Sequence, residues 1–257
     1  MIRPALFIGL GTTGRDILEY LYELMLEHYG SDTLNKLPIF KFVVFETHEG
    51  NITKSKNIEM KHLTITNPGS IKDHLEEKEY LKDWLDMNLL KVSGGKFTTG
   101  ADNGRMAGKL CLWENWDKVK EVLSGRGGVD RGAKSIIDPK NIDVSEDSLR
   151  WYYDKIGKSY DKSKKLIKDQ PIVYIVGTLY GGTCSGIFID IAYFVKDVFG
   201  LYANKLPDVN LTPVRGFFTI CDSSEIRNAS DTQSKRRAAN CWSALTEVDF
   251  WCHPESE

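Results

Sequence analysis

Apolar and polar positions divide the chain into short β-branched runs, each followed by a longer segment whose apolar residues recur every three or four positions. Ala5–Gly9 (ALFIG) predicts a buried strand, and Ile17, Leu18, Leu21 and Met25 then share one face of a helix ending at Gly30. Ile39–Phe45 predicts a second strand and Met60–Thr66 an edge strand. Ile71–Leu85 has helical spacing with its charges outward, and Leu110, Leu112, Trp113, Trp116 and Val119 mark another helix. Ser145–Lys168 predicts one helix, with Ser145 as N-cap and Leu149, Tyr152, Tyr153 and Ile156 along it. Ile172–Val176, between Pro171 and Gly177, reads as a buried strand, and Ile187, Phe188, Ile191, Val195 and Val198 follow at helical spacing up to Gly200. Val214–Cys221 predicts a further core strand, and Thr232–Trp251 a last helix with Ala238, Trp242, Leu245 and Val248 inward. Strands and helices alternating in this order predict an α/β fold: a doubly wound, mostly parallel sheet with helices on both faces. Residues 50–95 and 124–144 read as insertions within one domain spanning residues 1–257.

The polar residues that carry chemistry cluster where strands end. The first strand runs into Gly9-Leu10-Gly11-Thr12-Thr13-Gly14, a G-x-G-x-x-G turn in the strand-to-helix setting that gives this motif meaning. The central strand runs into Gly181-Gly182-Thr183-Cys184-Ser185-Gly186. Glycines there let backbone approach a ligand, Thr183 and Ser185 add hydroxyl donors, and a helix start directs its unpaired N–H groups to the same place. Those features predict an anion cradle, most simply for phosphate. Glu46 and Thr47 fall at the end of the second strand, where Glu46 can meet a ribose or, through water, a metal ion; His48 beside them reads as a loop residue. Gly100-Ala101-Asp102-Asn103-Gly104, with Gly108 after it, forms another glycine-rich polar loop, with Arg105 as a counter-charge. Asp222 and Glu225 follow the last strand, and Asn240 reads as a polar surface residue of the last helix. Residues 127–135 imitate a phosphate-binding Walker loop but carry Ala133 between Gly132 and Lys134, with no apolar strand before them.

Composition removes several function classes. A net charge of -2 with 27% charged residues gives no electrostatic footprint for nucleic acid or an acidic membrane. No apolar run approaches the ~20 residues that cross a bilayer. The five cysteines lack C-x-x-C spacing, which predicts a reduced, cytoplasmic setting without zinc.

Taken together, the loops resemble the nucleotide-binding domain of the tubulin/FtsZ superfamily, and more closely its divergent bacterial tubulin-like branch. Gly181–Gly186 is similar to that family's GGGTGSG phosphate loop, with Tyr180 and Cys184 in place of glycines. Gly9–Gly14 followed by Arg15 resembles its first glycine turn, and Gly100–Gly104 its loop near the terminal phosphate. Thr219–Arg227 resembles the loop in which an acidic residue holds the ribose, with Glu225 first in that role and Asp222 second. The resemblance implies GTP or GDP as ligand, with room for Mg²⁺ among phosphate oxygens and waters. It also implies a nucleotide lying between self-associating subunits of a filament, with further proteins of a larger assembly as potential partners. The family's base-reading asparagine has Asn240 as its candidate. The family's long central helix, its acidic hydrolytic loop and its second domain are expected beyond this chain, so the isolated chain is expected to hydrolyse little.

Two other readings stay open. An NAD(P)-dependent oxidoreductase would use Gly9–Gly14 and Glu46, but Glu46 lies 32 residues beyond Gly14 rather than about 20, and Gly181–Gly186 is left without a role. A non-catalytic module holding nucleotide within a larger assembly would fit the altered phosphate loop.

Overall fold

The structure, a computed structural model, describes residues 3–30, 39–48, 50, 61–65, 100–101, 104–124, 145–163, 171–203, 214–222 and 232–252. The expected helix at Ile71–Leu85, the Walker-like run 127–135, and the candidate site residues Asp102, Asn103 and Glu225 lie outside them. The described elements are β1 (Ala5–Leu10), α1 (Gly11–Tyr29), β2 (Phe40–Glu46), β3 (Lys61–Thr64), α2 (Arg105–Glu114), α3 (Trp116–Ser124), α4 (Glu146–Lys155), β4 (Ile172–Thr178), α5 (Gly182–Ala203), β5 (Val214–Thr219) and α6 (Thr232–Cys252).

The five strands make one sheet in the order β3-β2-β1-β4-β5, every pair parallel. Parallel strands are buried on both faces, so their side chains alternate between two cores rather than between core and water. Leu6, Ile8 and Leu10 of β1 join Val43, Phe45, Val173 and Ile175 beneath α2, α3, α5 and α6. The opposite face sets Phe42, Val44 and Val176 against Leu18 and Tyr22 of α1. Phe7 aligns with Phe42 on one side and Tyr174 on the other, and its ring stacks on theirs at 5.0 and 5.2 Å. That aromatic row fixes the register, because a one-residue slip would turn each ring to the other core. Strand order reverses between β1 and β4, which opens a crevice at their carboxyl ends.

Four expectations change. The helix from Ser145 stops at Lys155, where Gly157 takes φ +65°, a left-handed conformation that ends the helix long before Lys168. Residues 105–124 divide into two helices at Asn115, whose side-chain amide donates to the Cys111 carbonyl. In α6 Val248 packs on the core as expected and Ala238 is half-buried, but the buried residues are Asn240, Cys241 and Ala244, while Trp242 is 76% exposed and Leu245 also faces out. Small side chains bring that helix close: the Cys241 sulfur accepts from the Cys221 amide and touches the Cys221 sulfur. Strand β5, finally, lies at the sheet edge, with Val214 and Phe218 packed on the core and Phe217 exposed.

Candidate functional site

Motif segments that read as loops are largely helix. Gly11–Gly14 is the first turn of α1, and Gly182–Gly186 opens α5. The two helix starts stand side by side at the switch between β1 and β4, where a Cβ on Gly11 would lie 3.3 Å from that of Thr183. They border a crevice of about 260 Å³. The N-cap of α1 is apolar Leu10, which makes no side-chain cap, and neither helix has an acidic residue in its first turn. Helix α4 shows the contrast: Ser145 caps it by accepting from the Ser148 amide, and Glu146 and Asp147 occupy its first turn. The crevice therefore faces two helix dipole ends that carry no acid of their own, the Glu46 carboxylate beside Thr12 being the one negative group among its described lining residues, and such N-termini favour an anion.

The motif glycines divide into two jobs. Gly11, Gly100, Gly181 and Gly182 line the crevice. Gly9 and Gly14 instead pack on each other, and a Cβ at Gly14 would meet the Val176 carbonyl at 2.6 Å. Gly108, Gly182 and Gly186 let α5 pass backbone against backbone along α2 and its N-cap Gly104; a Cβ at Gly186 would reach the Arg105 carbonyl at 2.3 Å. Arg105 belongs to this crossing and is no counter-charge at the crevice. Its Nε donates to the Ser185 carbonyl at 3.0 Å, and its guanidinium pairs with Glu247 of α6.

Buried polar groups bind the segments together. Glu46, 3% exposed, accepts the Thr12 hydroxyl at 2.8 Å through Oε2 and the Thr47 and His48 amides at 2.8 and 3.2 Å through Oε1. Both of its oxygens thus hold protein groups, so Glu46 braces the wall of the crevice instead of projecting from a loop. The Thr47 hydroxyl accepts the Ala101 amide at 3.1 Å and lies 2.6 Å from the Thr183 hydroxyl. Thr12, Thr13, Thr47, Thr183 and Cys184 all line the crevice. Ser185 is fully buried and donates back to the Gly181 carbonyl, so it rigidifies the turn rather than facing a ligand. Cys184 is helical and packed against Gly177, and burial pushes its thiol far above the ordinary range, which makes it unreactive.

Other candidates stand apart from the crevice. Arg15 pairs with its neighbour Asp16 at 2.7 Å on the flank of α1. Asp222 is exposed beyond β5, outside the lining residues. Asn240 is 7% exposed rather than on the surface, and its amide donates to the Tyr180 carbonyl at 3.0 Å, holding the turn from behind. The lining also includes Leu10, His48, Thr178 and Tyr180, none of which the motifs single out as ligand-facing. Their common signal is position: each sits at or just past the carboxyl end of a strand. Among the described residues no three His, Cys, Asp or Glu side chains converge as a metal site.

A family model described as "Tubulin like" matches residues 6–255. The chain belongs to the tubulin-like family. Among solved structures it is similar to TubZ of Clostridium botulinum phage c-st, with 12% identity and a TM-score of 0.35 over 96% of this chain and 48% of that one. It is also similar to CetZ2 from Haloferax volcanii, solved as a GTPγS-bound protofilament, with 14% identity and a TM-score of 0.39 over 95% of this chain and 56% of that one. The chain spans about half the length of these solved tubulin-like chains. No curated protein matches it in sequence. No described helix is long and apolar enough to cross a membrane.

Proposed function

We propose that this tubulin-like chain is a nucleotide-binding domain over its whole length and takes GTP or GDP in the crevice between the α1 and α5 helix starts. The observation that carries the reading is the pair of helix starts, neither with an acidic residue in its first turn, meeting at the sheet's switch point. A polyphosphate supplies the negative charge those N–H groups lack. Gly11, Gly181 and Gly182 give it backbone access, and Thr13 and Thr183 lie at its edge. Guanine as the base follows from family membership alone. Mg²⁺, when bound, would offset phosphate charge; with no converging ligand set among the described residues, phosphate oxygens and water would carry it.

Glu46 is the only carboxylate among the described lining residues, and its hydrogen bonds commit it to the wall. We assign binding, and no water-activating acid, to those residues; hydrolysis belongs to groups supplied from elsewhere, such as a neighbouring subunit. Self-association into a filament with nucleotide at the junction, in the cytoplasm, is the family-level extension of this reading. The oxidoreductase alternative loses its acidic residue, since Glu46 points both oxygens at protein donors.

Calorimetric titration of the purified chain with GTP and with ATP, in the presence of Mg²⁺, tests the proposal. Preferential GTP binding is expected, together with guanosine nucleotide in the perchloric-acid extract of freshly purified protein. Equal affinity for both, or no binding to either, rejects it.

A further inference from the structure

The hydroxyl groups around the crevice are not equally free to meet a ligand. Thr12 gives its proton to Glu46, and Ser185 gives its own to the Gly181 carbonyl. Thr47 and Thr183 share one short contact of 2.6 Å, in which either oxygen could be the donor.

Proton counting decides the direction. A threonine hydroxyl has one proton and two lone pairs. The Ala101 amide occupies a lone pair of Thr47, and among the described residues the other hydrogen-bonding neighbour of that hydroxyl is Thr183. Thr47 is fully buried, so water does not serve it. If Thr183 donated, the Thr47 proton would be buried without an acceptor and would bear the full desolvation cost. The lower-energy chain therefore runs from the Ala101 amide to Thr47, from the Thr47 hydroxyl to Thr183, and leaves the Thr183 proton for the crevice.

We infer that Thr47, which borders the crevice but commits its hydroxyl to the Ala101 amide and to Thr183, is a positioning residue that turns the Thr183 hydroxyl proton toward a phosphate oxygen. The chain links three separate segments, so a backbone amide at Ala101 also polarises the final donor, as aligned hydrogen bonds do. This rests on the nucleotide reading above and deepens it, naming how one contact to an anionic oxygen is set.

The test is a double-mutant cycle on the whole chain, read by GTP affinity with thermal melts as a check on folding. Thr183→Val and Thr47→Val are each expected to weaken binding about tenfold, the scale of one hydrogen bond to a charged group. Thr47→Ser, which keeps the hydroxyl, should stay within about twofold of wild type. The double Val variant should bind no more weakly than Thr183→Val alone, because Thr47 acts through Thr183. Wild-type affinity in Thr47→Val, or a double variant whose loss is the product of the two single losses, overturns the inference while leaving nucleotide binding intact. Should Thr47→Val not fold, Thr47→Cys fills the same space with a weak donor, and the same non-additivity with Thr183→Val is required. A wild-type chain that binds no GTP ends the nucleotide reading and this inference with it.

Discussion

The turn from β1 into α1 and the turn from β4 into α5 are built to one plan and divided in labour. Each takes a buried strand into a helix whose first turn is glycine-rich, the first without a break and the second through Leu179, Tyr180 and Gly181, and the two stand in contact at Gly11 and Thr183. In the first turn, Gly9 and Gly14 close on each other beside the Val176 carbonyl, and the Thr12 hydroxyl goes to Glu46. In the second, Gly182 and Gly186 receive the backbone of α2, Ser185 folds back on Gly181, and Thr183 stays at the crevice. Motif glycines alone therefore do not mark ligand contact. A glycine serves whichever backbone comes closest, and at six positions of these motifs, Gly9, Gly14, Gly104, Gly108, Gly182 and Gly186, that backbone is the protein's own.

Alanine at these glycines breaks the comparison most sharply. Gly186→Ala would place a Cβ 2.3 Å from the Arg105 carbonyl and Gly14→Ala one 2.6 Å from the Val176 carbonyl, and neither backbone partner can step aside. Each should lose more than about 2 kcal/mol of stability, although alanine is the better helix former. A Cβ at Gly181 would meet the Thr178 methyl at 3.3 Å and come no nearer than 4.0 Å to the Thr178 carbonyl. Gly181→Ala should cost under about 1 kcal/mol and act on nucleotide affinity instead. Urea unfolding of the three variants distinguishes packing glycines from crevice glycines; equal losses at all three would erase the division.

The next effect in size concerns the first turn's hold on β2. Glu46→Ala leaves the Thr12 hydroxyl and the Thr47 and His48 amides without their acceptor. A loss of about 2–4 kcal/mol at neutral pH is expected, and Glu46→Gln should recover more than half of it, because its carbonyl can still take the two amides. A Glu46→Ala variant as stable as wild type by urea midpoint would mean that the brace contributes nothing.

Much of this architecture is legible in the sequence. The apolar runs locate all five described strands within a few residues; the inner strands β1, β2 and β4, buried on both faces, are nearly continuous in apolar residues, whereas the edge strands β3 and β5 are not. The strand-to-helix glycine motifs located both helix starts at the crevice. What the pattern could not give was direction. It placed Trp242 and Leu245 inward because they are large and apolar, whereas the neighbouring α5 and β5 accept only thin side chains there, and Cys241 and Ala244 fill that contact. Asn240 and Arg105 show the same limit, since a polar residue in a sequence does not reveal which carbonyl it will serve. Glu46 was placed at the right strand end, but its role depends on Thr12, a residue 34 positions away.

The smallest expected effect lies in the contact that only the second helix makes. Asp190 of α5 sits 3.6 Å from Lys109 of α2, largely buried, and that burial raises its carboxyl above the usual carboxylate range while Lys109 opposes the shift. A folded-state value above the unfolded one means that the native chain holds the proton more tightly. The stability contribution is then fully present below the unfolded pKa, near 4, and declines as pH rises through the window up to the folded value. Asp190→Asn does not titrate, so its stability relative to wild type should rise through that window and then level. At pH 7 the variant is expected to be at least as stable as wild type, with the difference shrinking in acid. Paired thermal melts from pH 3 to 8 measure this difference. If wild type gains on the variant as pH rises, the Lys109 attraction outweighs burial, and the α2–α5 crossing is held by charge as well as by its glycines.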